Sequence, residues 1–191
     1  MTSDEVLEDL TRCGALLTGH FELSSGRHSD RFLQFSVVLQ HPPLSGGLCA
    51  AMAALWRDDG IETVVGPAMG GIIVAYETAR ALQARALFTE RQDGRMRLLR
   101  GFALRPAERV LVVDDVLTTG GSLRETVAAV QAAGADPVGV SVLVHRQAGQ
   151  DVDFGVPYRP LAEVEAVSHA PADCPLCARG EPFTDPDRRK A

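Results

Sequence analysis

The sequence predicts an α/β domain built on a mostly parallel sheet with helices packed on its faces. Residues 110–113 are four apolar side chains in a row, which is typical of a strand buried on both faces. Residues 123–133 follow with helical periodicity, and residues 63–84 repeat the order of strand, glycine-rich turn and helix. Further strands are predicted at 138–144 and 158–161. Strands that alternate with helices in this way form parallel sheets joined by crossover helices.

Length and charge narrow the class of protein. The chain has 191 residues, of which 46% are hydrophobic, so we expect one domain over residues 1–191 with a sizeable core. Apolar stretches are too short to cross a membrane, and the first residues are acidic where a signal peptide would be basic. We therefore expect a soluble cytoplasmic protein without a membrane partner. A net charge of −6 argues against a nucleic-acid partner, which normally requires a basic stripe.

The basic residues limit the possible chemistry. Of the 19 basic side chains only Lys190 is a lysine, and it lies at the end of the chain. A lysine Schiff base, a lysine acid and a P-loop lysine are therefore excluded from the folded body. Arginine stays protonated, so it can bind phosphate or carboxylate in bidentate fashion but is a poor proton donor.

The four cysteines fall into two groups. Cys13 and Cys49 lie among apolar residues and are expected to be small buried side chains. Cys174 and Cys177 form a single C-x-x-C, which supplies half of the four ligands that zinc usually takes. A zinc site could be shared across a dimer or completed by His169. A structural or incidental role is the favoured alternative.

The segment before the core predicts a small separate unit. Residues 3–13 have the periodicity of an amphipathic helix, capped by Thr2 or Ser3. Two short alternating runs within residues 19–35 flank a Ser-Ser-Gly turn, which predicts a β-hairpin outside the parallel sheet. Phe32 on this hairpin could cover a flat ring, or it could simply belong to the core.

The most informative stretch follows the strand at 110–113. Asp114 and Asp115 come first, and a short loop then leads into the next helix. Ligands of open parallel sheets bind beyond the carboxyl ends of strands, where helix N-termini present free N–H groups to anions. The loop offers three hydroxyls and two glycines that let the backbone close around a phosphate: Thr118, Thr119, Gly120, Gly121 and Ser122. The two carboxylates suit sugar hydroxyls or a hydrated Mg²⁺, so the sequence predicts a sugar phosphate with a divalent metal. The acidic pair by itself is also compatible with an ordinary turn.

The complete string at residues 110–122 resembles the phosphoribosyl diphosphate motif of the type I phosphoribosyltransferases. That motif is an apolar strand, two acids, two further residues and then T-[TA]-G-[GT]-[ST], and it is matched here without a gap. A second string at residues 19–29, G-x-F-x-L-x-S-G-R-x-S, is similar to the N-terminal hood of orotate phosphoribosyltransferases. The resemblance implies the type I phosphoribosyltransferase fold, with a hood at 1–40 and a core at 60–165. The sequence pattern itself predicts a disordered tail at 184–191.

The resemblance also implies an activity and its site. The expected reaction is Mg²⁺-dependent transfer of phosphoribosyl from phosphoribosyl diphosphate to orotate. Asp114 and Asp115 would act in catalysis on the ribose hydroxyls, and residues 118–122 would hold the 5′-phosphate. Arg146 and Thr118 would contact orotate, with Phe32 on the covering hood. The glycine-rich turn within residues 63–84 would meet the diphosphate through Met69, Gly70 and Gly71.

A basic hairpin is the remaining feature that the resemblance explains. Asp93 and Gly94 form a strong type I′ turn signal within residues 88–106, the most basic stretch of the chain. In the family this arm reaches the neighbouring subunit's site, which implies a homodimer. Arg91 would bind the diphosphate, and Arg95 would act on it in catalysis. A hairpin that only adds solubility is the alternative.

The sequence also departs from the family pattern. Ser24, Gly70 and an arm without lysine or histidine stand where many orotate enzymes carry lysines and a histidine. Mg²⁺ and the arm's arginines would then neutralise the leaving diphosphate, with His20 and His28 as possible proton carriers. Two alternatives remain open. One is a purine-base phosphoribosyltransferase, and the other is a regulator that binds phosphoribosyl diphosphate without catalysis.

Overall fold

The chain folds around a six-stranded sheet, with a separate three-stranded sheet beside it. The computed structural model describes residues 1–23, 25–146 and 152–186. The helices are α1 (Ser3–Arg12), α2 (Ser36–Leu39), α3 (Pro42–Ala54), α4 (Gly70–Leu82), α5 (Gly121–Ala132) and α6 (Pro175–Ala178). The strands are β1 (Leu16–Glu22), β2 (His28–Leu33), β3 (Thr63–Pro67), β4 (Arg85–Gln92), β5 (Arg95–Leu98), β6 (Arg109–Leu117), β7 (Asp136–His145), β8 (Ala162–Glu163) and β9 (Ser168–His169).

The central sheet has the predicted parallel topology. Its strand order is β5-β4-β3-β6-β7-β8, and only the β4–β5 pair at one edge is antiparallel. Successive residues of β6 pack into two different apolar clusters: Leu111 and Val113 into one, Val110 and Val112 into the other. The strand is therefore buried on both faces, which is why its apolar run is continuous rather than alternating.

Two strand boundaries differ from the prediction. β6 continues through the acidic pair, because Asp114 and Val116 still pair with β7. The carboxylates therefore lie near the end of a regular strand and not after it. The last strand, expected at 158–161, is instead β8, and Tyr158 makes only an isolated bridge to Val140. The N–H groups of Arg159 and Leu161 still donate to the carbonyl oxygens of Val140 and Val142, so this segment follows β7 without forming a regular strand.

The N-terminal unit forms as predicted and gains a strand from the other end of the chain. Thr2 and Glu5 close a capping box at the start of α1. β1 and β2 pair as an antiparallel hairpin, and β9 adds to the free edge of β2. We use the word hood for α1, β1 and β2. The two-residue β9 is too short to leave a periodic signal in the sequence.

The end of the chain packs against this hood. The backbone N–H of Thr184 donates to the carbonyl oxygen of His20 over 2.6 Å. Residues 187–191 of the predicted tail lie outside the described residues, so that prediction stays open. In the described part of the chain, no helix is long and apolar enough to cross a membrane.

Candidate active site

The glycine-rich loop after β3 lies directly against the acidic pair of β6. A Cβ atom added at Gly70 would collide with the carboxylate of Asp115, and one added at Gly71 would lie 3.1 Å from Oδ1 of Asp114. Glycine is therefore required at these positions for close approach rather than for an unusual backbone angle. The parallel order of β3 and β6 brings the two predicted donor-binding segments to the same sheet edge.

The two carboxylates are half-buried and lie side by side. The backbone N–H of Asp115 donates to Oδ1 of Asp114 over 2.9 Å, and that of Val116 donates to Oδ1 of Asp115 over 2.7 Å. Burial, and next the charge of Asp115, raise the pKa of Asp114 well above its ordinary value, and burial also raises the pKa of Asp115. No cationic side chain of the described residues pairs with either one. Such a pair favours a ligand that brings hydroxyls or positive charge.

The loop predicted to cradle a phosphate lies at the start of α5. A pocket of about 60 Å³ is lined by residues 116–123 and Asp114. No described side chain caps the helix, so the N–H groups of its first turn remain available to an anion. Gly120 precedes the helix with a φ of 75°, and a Cβ there would lie 3.1 Å from Nη1 of Arg124. Both the backbone angle and the crowding require glycine at this position.

Arg124 supports the cradle from behind, a role that the sequence did not reveal. Its Nη1 donates to the carbonyl oxygen of Thr119 over 2.7 Å, and its Nε to that of Asp153 over 3.2 Å. The guanidinium also lies 5.4 Å from the centre of the Phe154 ring. The only available signal was an arginine one turn into the helix, which is common on exposed helix faces.

Arg146 lies at the boundary between the sheet and the hood. It follows β7, and its backbone N–H donates to the carbonyl oxygen of Leu117 over 3.0 Å. Its Nη2 donates over 3.4 Å to the carbonyl oxygen of Arg31 in β2, while its buried Nε has no partner among the described residues. Burial lowers the pKa of Arg146, against the opposing charge of Asp30. A half-buried cation with unused donors favours a bound anion.

Phe32, the next residue after Arg31 in β2, shares this boundary. Its ring is half-buried and packs 5.4 Å from the ring of Phe21, centre to centre. Phe32 therefore follows directly on the residue whose carbonyl oxygen accepts from Arg146.

The arm has the predicted turn, and it separates the roles of its arginines. Asp93 and Gly94 have φ angles of 51° and 77°, as a type I′ turn requires. Nη1 of Arg91 donates to the carbonyl oxygen of Gly94 over 2.7 Å and lies 3.0 Å from Glu125. Arg95 is exposed and makes no ion pair or side-chain hydrogen bond within the described part of the chain. In this conformation Arg95 is free for a ligand, whereas Arg91 anchors the arm to α5.

Gly70→Ala is expected to lower kcat/KM by on the order of 100-fold with little change in stability. The new methyl group displaces the Asp115 carboxylate, and a displacement of about 1 Å in a positioning group can cost this much. Steady-state kinetics and thermal melting measure the two effects. Gly47→Ala is the matched control, because nothing lies within 4 Å of a Cβ there. Equal kinetics for the two variants would contradict the close approach of Gly70 and Asp115.

A parallel sheet whose glycine-rich loop lies beside paired, half-buried carboxylates fits the class of the phosphoribosyltransferases. Consistent with this class, the family model described as phosphoribosyl transferase domain matches residues 38–176. The chain is 54% identical over 190 residues to the orotate phosphoribosyltransferase of Pelotomaculum thermopropionicum, with 100% of each chain covered. It is 50% identical over 191 residues to that of Heliobacterium modesticaldum, covering 99% of this chain and 100% of the relative.

A solved structure agrees with these relatives. The orotate phosphoribosyltransferase of Aeropyrum pernix matches with a TM-score of 0.69 and 26% identity, over 83% of this chain and 93% of that one. The chain therefore belongs to the orotate phosphoribosyltransferase family. The fold and family predicted from the two motifs are confirmed.

Proposed function

We propose that this chain transfers the phosphoribosyl group of phosphoribosyl diphosphate to orotate, giving orotidine 5′-phosphate and diphosphate for pyrimidine nucleotide synthesis. The observation that carries the choice of acceptor is Arg146, whose unused donors meet the hood beside the donor-binding edge of the sheet. A planar guanidinium suits the carboxylate of orotate, which purine bases lack. The purine-base alternative is therefore not favoured.

Each end of the donor has a matching segment. The 5′-phosphate would be bound by the free N–H groups and hydroxyls of residues 118–122. The ribose hydroxyls would donate to Asp114 and Asp115. The loop at 69–71, which lies on these carboxylates, would present backbone amides to the diphosphate. Thr118, exposed at the mouth of the cradle, would also contact orotate.

The acidic pair fits a divalent metal. Two half-buried carboxylates with raised pKa values and no cationic partner among the described residues offer the oxygen ligands that Mg²⁺ takes. Mg²⁺ would arrive mainly with the donor, near Asp114 and Asp115, and would supply charge neutralisation for the diphosphate. The ionised carboxylates would hold the ribose and stabilise the positive charge that develops on it as the bond from C1 to oxygen breaks.

The arm would complete the site from a second subunit of a homodimer. Arg95 has no internal partner and lies on an exposed hairpin edge. Because arginine does not give up its proton readily, it would assist the diphosphate by charge and not as an acid. Arg91 would join it only after leaving Glu125, to which it is bound in this structure.

The proposed reaction is tested by following the ultraviolet absorbance of orotate on addition of the protein, phosphoribosyl diphosphate and Mg²⁺. We expect a decrease that requires all three. Adenine, guanine, hypoxanthine and uracil are tested in parallel, together with a sample without metal. Turnover of a purine in place of orotate would support the purine-base alternative. Donor binding without turnover of any base would support the regulator.

Arg146→Ala is expected to raise the KM for orotate by about 10- to 100-fold, the value of one charge-assisted pair of hydrogen bonds, and to leave the KM for the donor nearly unchanged. Arg12→Ala is the matched control, because Arg12 is an exposed arginine of α1 that is ion-paired with Asp9. Initial rates at varied concentrations of each substrate measure both constants. An equal rise in both KM values would remove Arg146 from the orotate site.

A further inference from the structure

Four potential metal ligands meet where the hood packs against the C-terminal segment. His20 lies in β1 and His28 in β2, while Cys174 and Cys177 flank the start of α6. One ligand atom from each lies within 4.8 Å of all the others. His20, His28 and Cys174 are only 2%, 6% and 2% exposed, and Cys177 lies at the open edge of the cluster.

The separations match a tetrahedral site. Nε2 of His20 is 3.4 Å from Nδ1 of His28 and 3.6 and 3.7 Å from the sulfurs of Cys174 and Cys177. The sulfur of Cys177 is 3.2 Å from Nδ1 of His28. A tetrahedral zinc with bonds of about 2.0–2.1 Å to nitrogen and 2.3 Å to sulfur holds its ligand atoms about 3.3–3.8 Å apart. Four of the six separations between the ligand atoms are therefore close to those of a tetrahedral zinc site.

The surroundings orient the histidines for binding. Nδ1 of His20 lies 2.8 Å from the carbonyl oxygen of Glu181, so this nitrogen carries the proton and Nε2 presents its lone pair to the cysteines. The ring of Phe183 packs against His20 and His28, with centres 4.3 and 4.8 Å apart. A fixed tautomer and an apolar cover are the usual supports of a bound metal.

We propose that His20, His28, Cys174 and Cys177 bind one structural Zn²⁺. The site has four protein ligands and no open position, which is typical of structural zinc and not of catalytic zinc. Two thiolates favour zinc over Mg²⁺, which prefers oxygen, so this site is chemically distinct from the one at the acidic pair. Binding releases the two thiol protons to solvent and changes no oxidation state.

The cluster bears on two interpretations of the sequence. His169, considered there as a ligand, is absent from the cluster of described ligands. His20 and His28, considered as possible proton carriers, are buried beside Cys174 and Cys177. A site within one chain also removes the need for a shared metal between subunits.

Zinc here would fasten the hood. The metal would link the β1–β2 hairpin to a segment about 150 residues further along the chain, beside the pairing of β2 with β9. Cross-linking distant segments stabilises the folded state because it restricts the unfolded chain. β2 also carries Phe32 and the Arg31 carbonyl that meets Arg146. If the proposed function holds, loss of zinc raises the KM for orotate more than the KM for the donor.

Metal analysis of the purified chain tests the site without reference to activity. Protein from zinc-supplemented culture is desalted and analysed by plasma mass spectrometry, and we expect about one zinc per chain. Replacement by Co²⁺ is expected to produce a sulfur-to-metal charge-transfer band. The double variant Cys174→Ser, Cys177→Ser is expected to lose both zinc and the band, whereas Cys13→Ser keeps them. Zinc removal is expected to lower the wild-type Tm by about 5 °C.

The wild-type measurements decide the matter even if the double variant does not fold. Reduced wild-type protein that neither retains nor takes up zinc would overturn the proposal. So would a Cys174–Cys177 disulfide that persists in zinc-supplemented, reduced protein. Zinc retained in full by a folded double variant would place the metal elsewhere and would likewise overturn it.

Discussion

Asp114→Asn is expected to lower kcat/KM by about 100- to 1,000-fold, the usual effect of removing one preorganised charged group from a reaction centre. The same substitution is expected to raise the stability of the ligand-free protein by about 0.5–2 kcal/mol at neutral pH. Both effects have one cause, because Asp114 is a half-buried carboxylate beside a second one. Its charge serves the substrates and destabilises the protein without them.

The sign of the pH dependence follows from the direction of the pKa shift. A carboxyl whose pKa is raised in the folded protein is more easily ionised in the unfolded chain. Its contribution to stability is complete below its unfolded pKa and is lost as pH rises through the raised folded value. The wild-type free energy of unfolding should therefore fall over this range more than that of Asp114→Asn.

Denaturant unfolding at several pH values and steady-state kinetics with saturating Mg²⁺ measure the two effects. Asp136→Asn is the matched control, since Asp136 is exposed and lies 3.5 Å from Arg109. This control should change neither the activity nor the pH dependence of the free energy of unfolding. A fully active Asp114→Asn protein would refute the catalytic role. An Asp114→Asn variant less stable than wild type at neutral pH would refute the claim that the charge of Asp114 destabilises the ligand-free protein.

Arg95→Ala and Asp114→Asn are expected to be nearly inactive alone and to restore activity when their subunits are mixed. Loss of Arg95 should cost about 100-fold, because one preorganised charge on the diphosphate is removed. If the arm acts on the partner's site, a hybrid dimer contains one site with neither substitution. Random exchange of subunits then restores roughly a quarter of the wild-type sites.

Co-expression with two different affinity tags isolates the hybrid, and its initial rate is compared with those of both parents. Mixing Arg95→Ala with Arg12→Ala is the control. That hybrid keeps one normal site and one site that lacks Arg95, whichever subunit each arm serves. A purified hybrid of Arg95→Ala and Asp114→Asn with no recovered activity would show that the arm serves its own chain. An active monomer would remove the shared site altogether.

Much of the donor-binding half of the site could be predicted from local sequence. The order of buried strand, acidic pair, cradle and helix lies within residues 110–133, and each part has a short-range signal. The type I′ turn at Asp93 and Gly94 depends on two adjacent residues and formed as expected. Apolar periodicity also predicted the parallel sheet, because strands covered on both faces carry continuous apolar runs.

The contacts between these segments could not be predicted in this way. The approach of Gly70 to Asp115 and the pairing of Arg91 with Glu125 join residues that are tens of positions apart. The sequence showed which side chains had suitable chemistry. It did not show which arginine would be occupied by an internal partner and which would remain free.

The clearest contrast is the zinc cluster. The sequence alone identified the C-x-x-C pair and named His20 and His28 in the hood. Only the tertiary structure brought His20 and His28 to Cys174 and Cys177, across about 150 residues. Periodicity reports the burial of each element separately, whereas a site shared by the two ends of the chain depends on how the elements pack. That packing results from the summed burial of many side chains and leaves no mark on any short stretch.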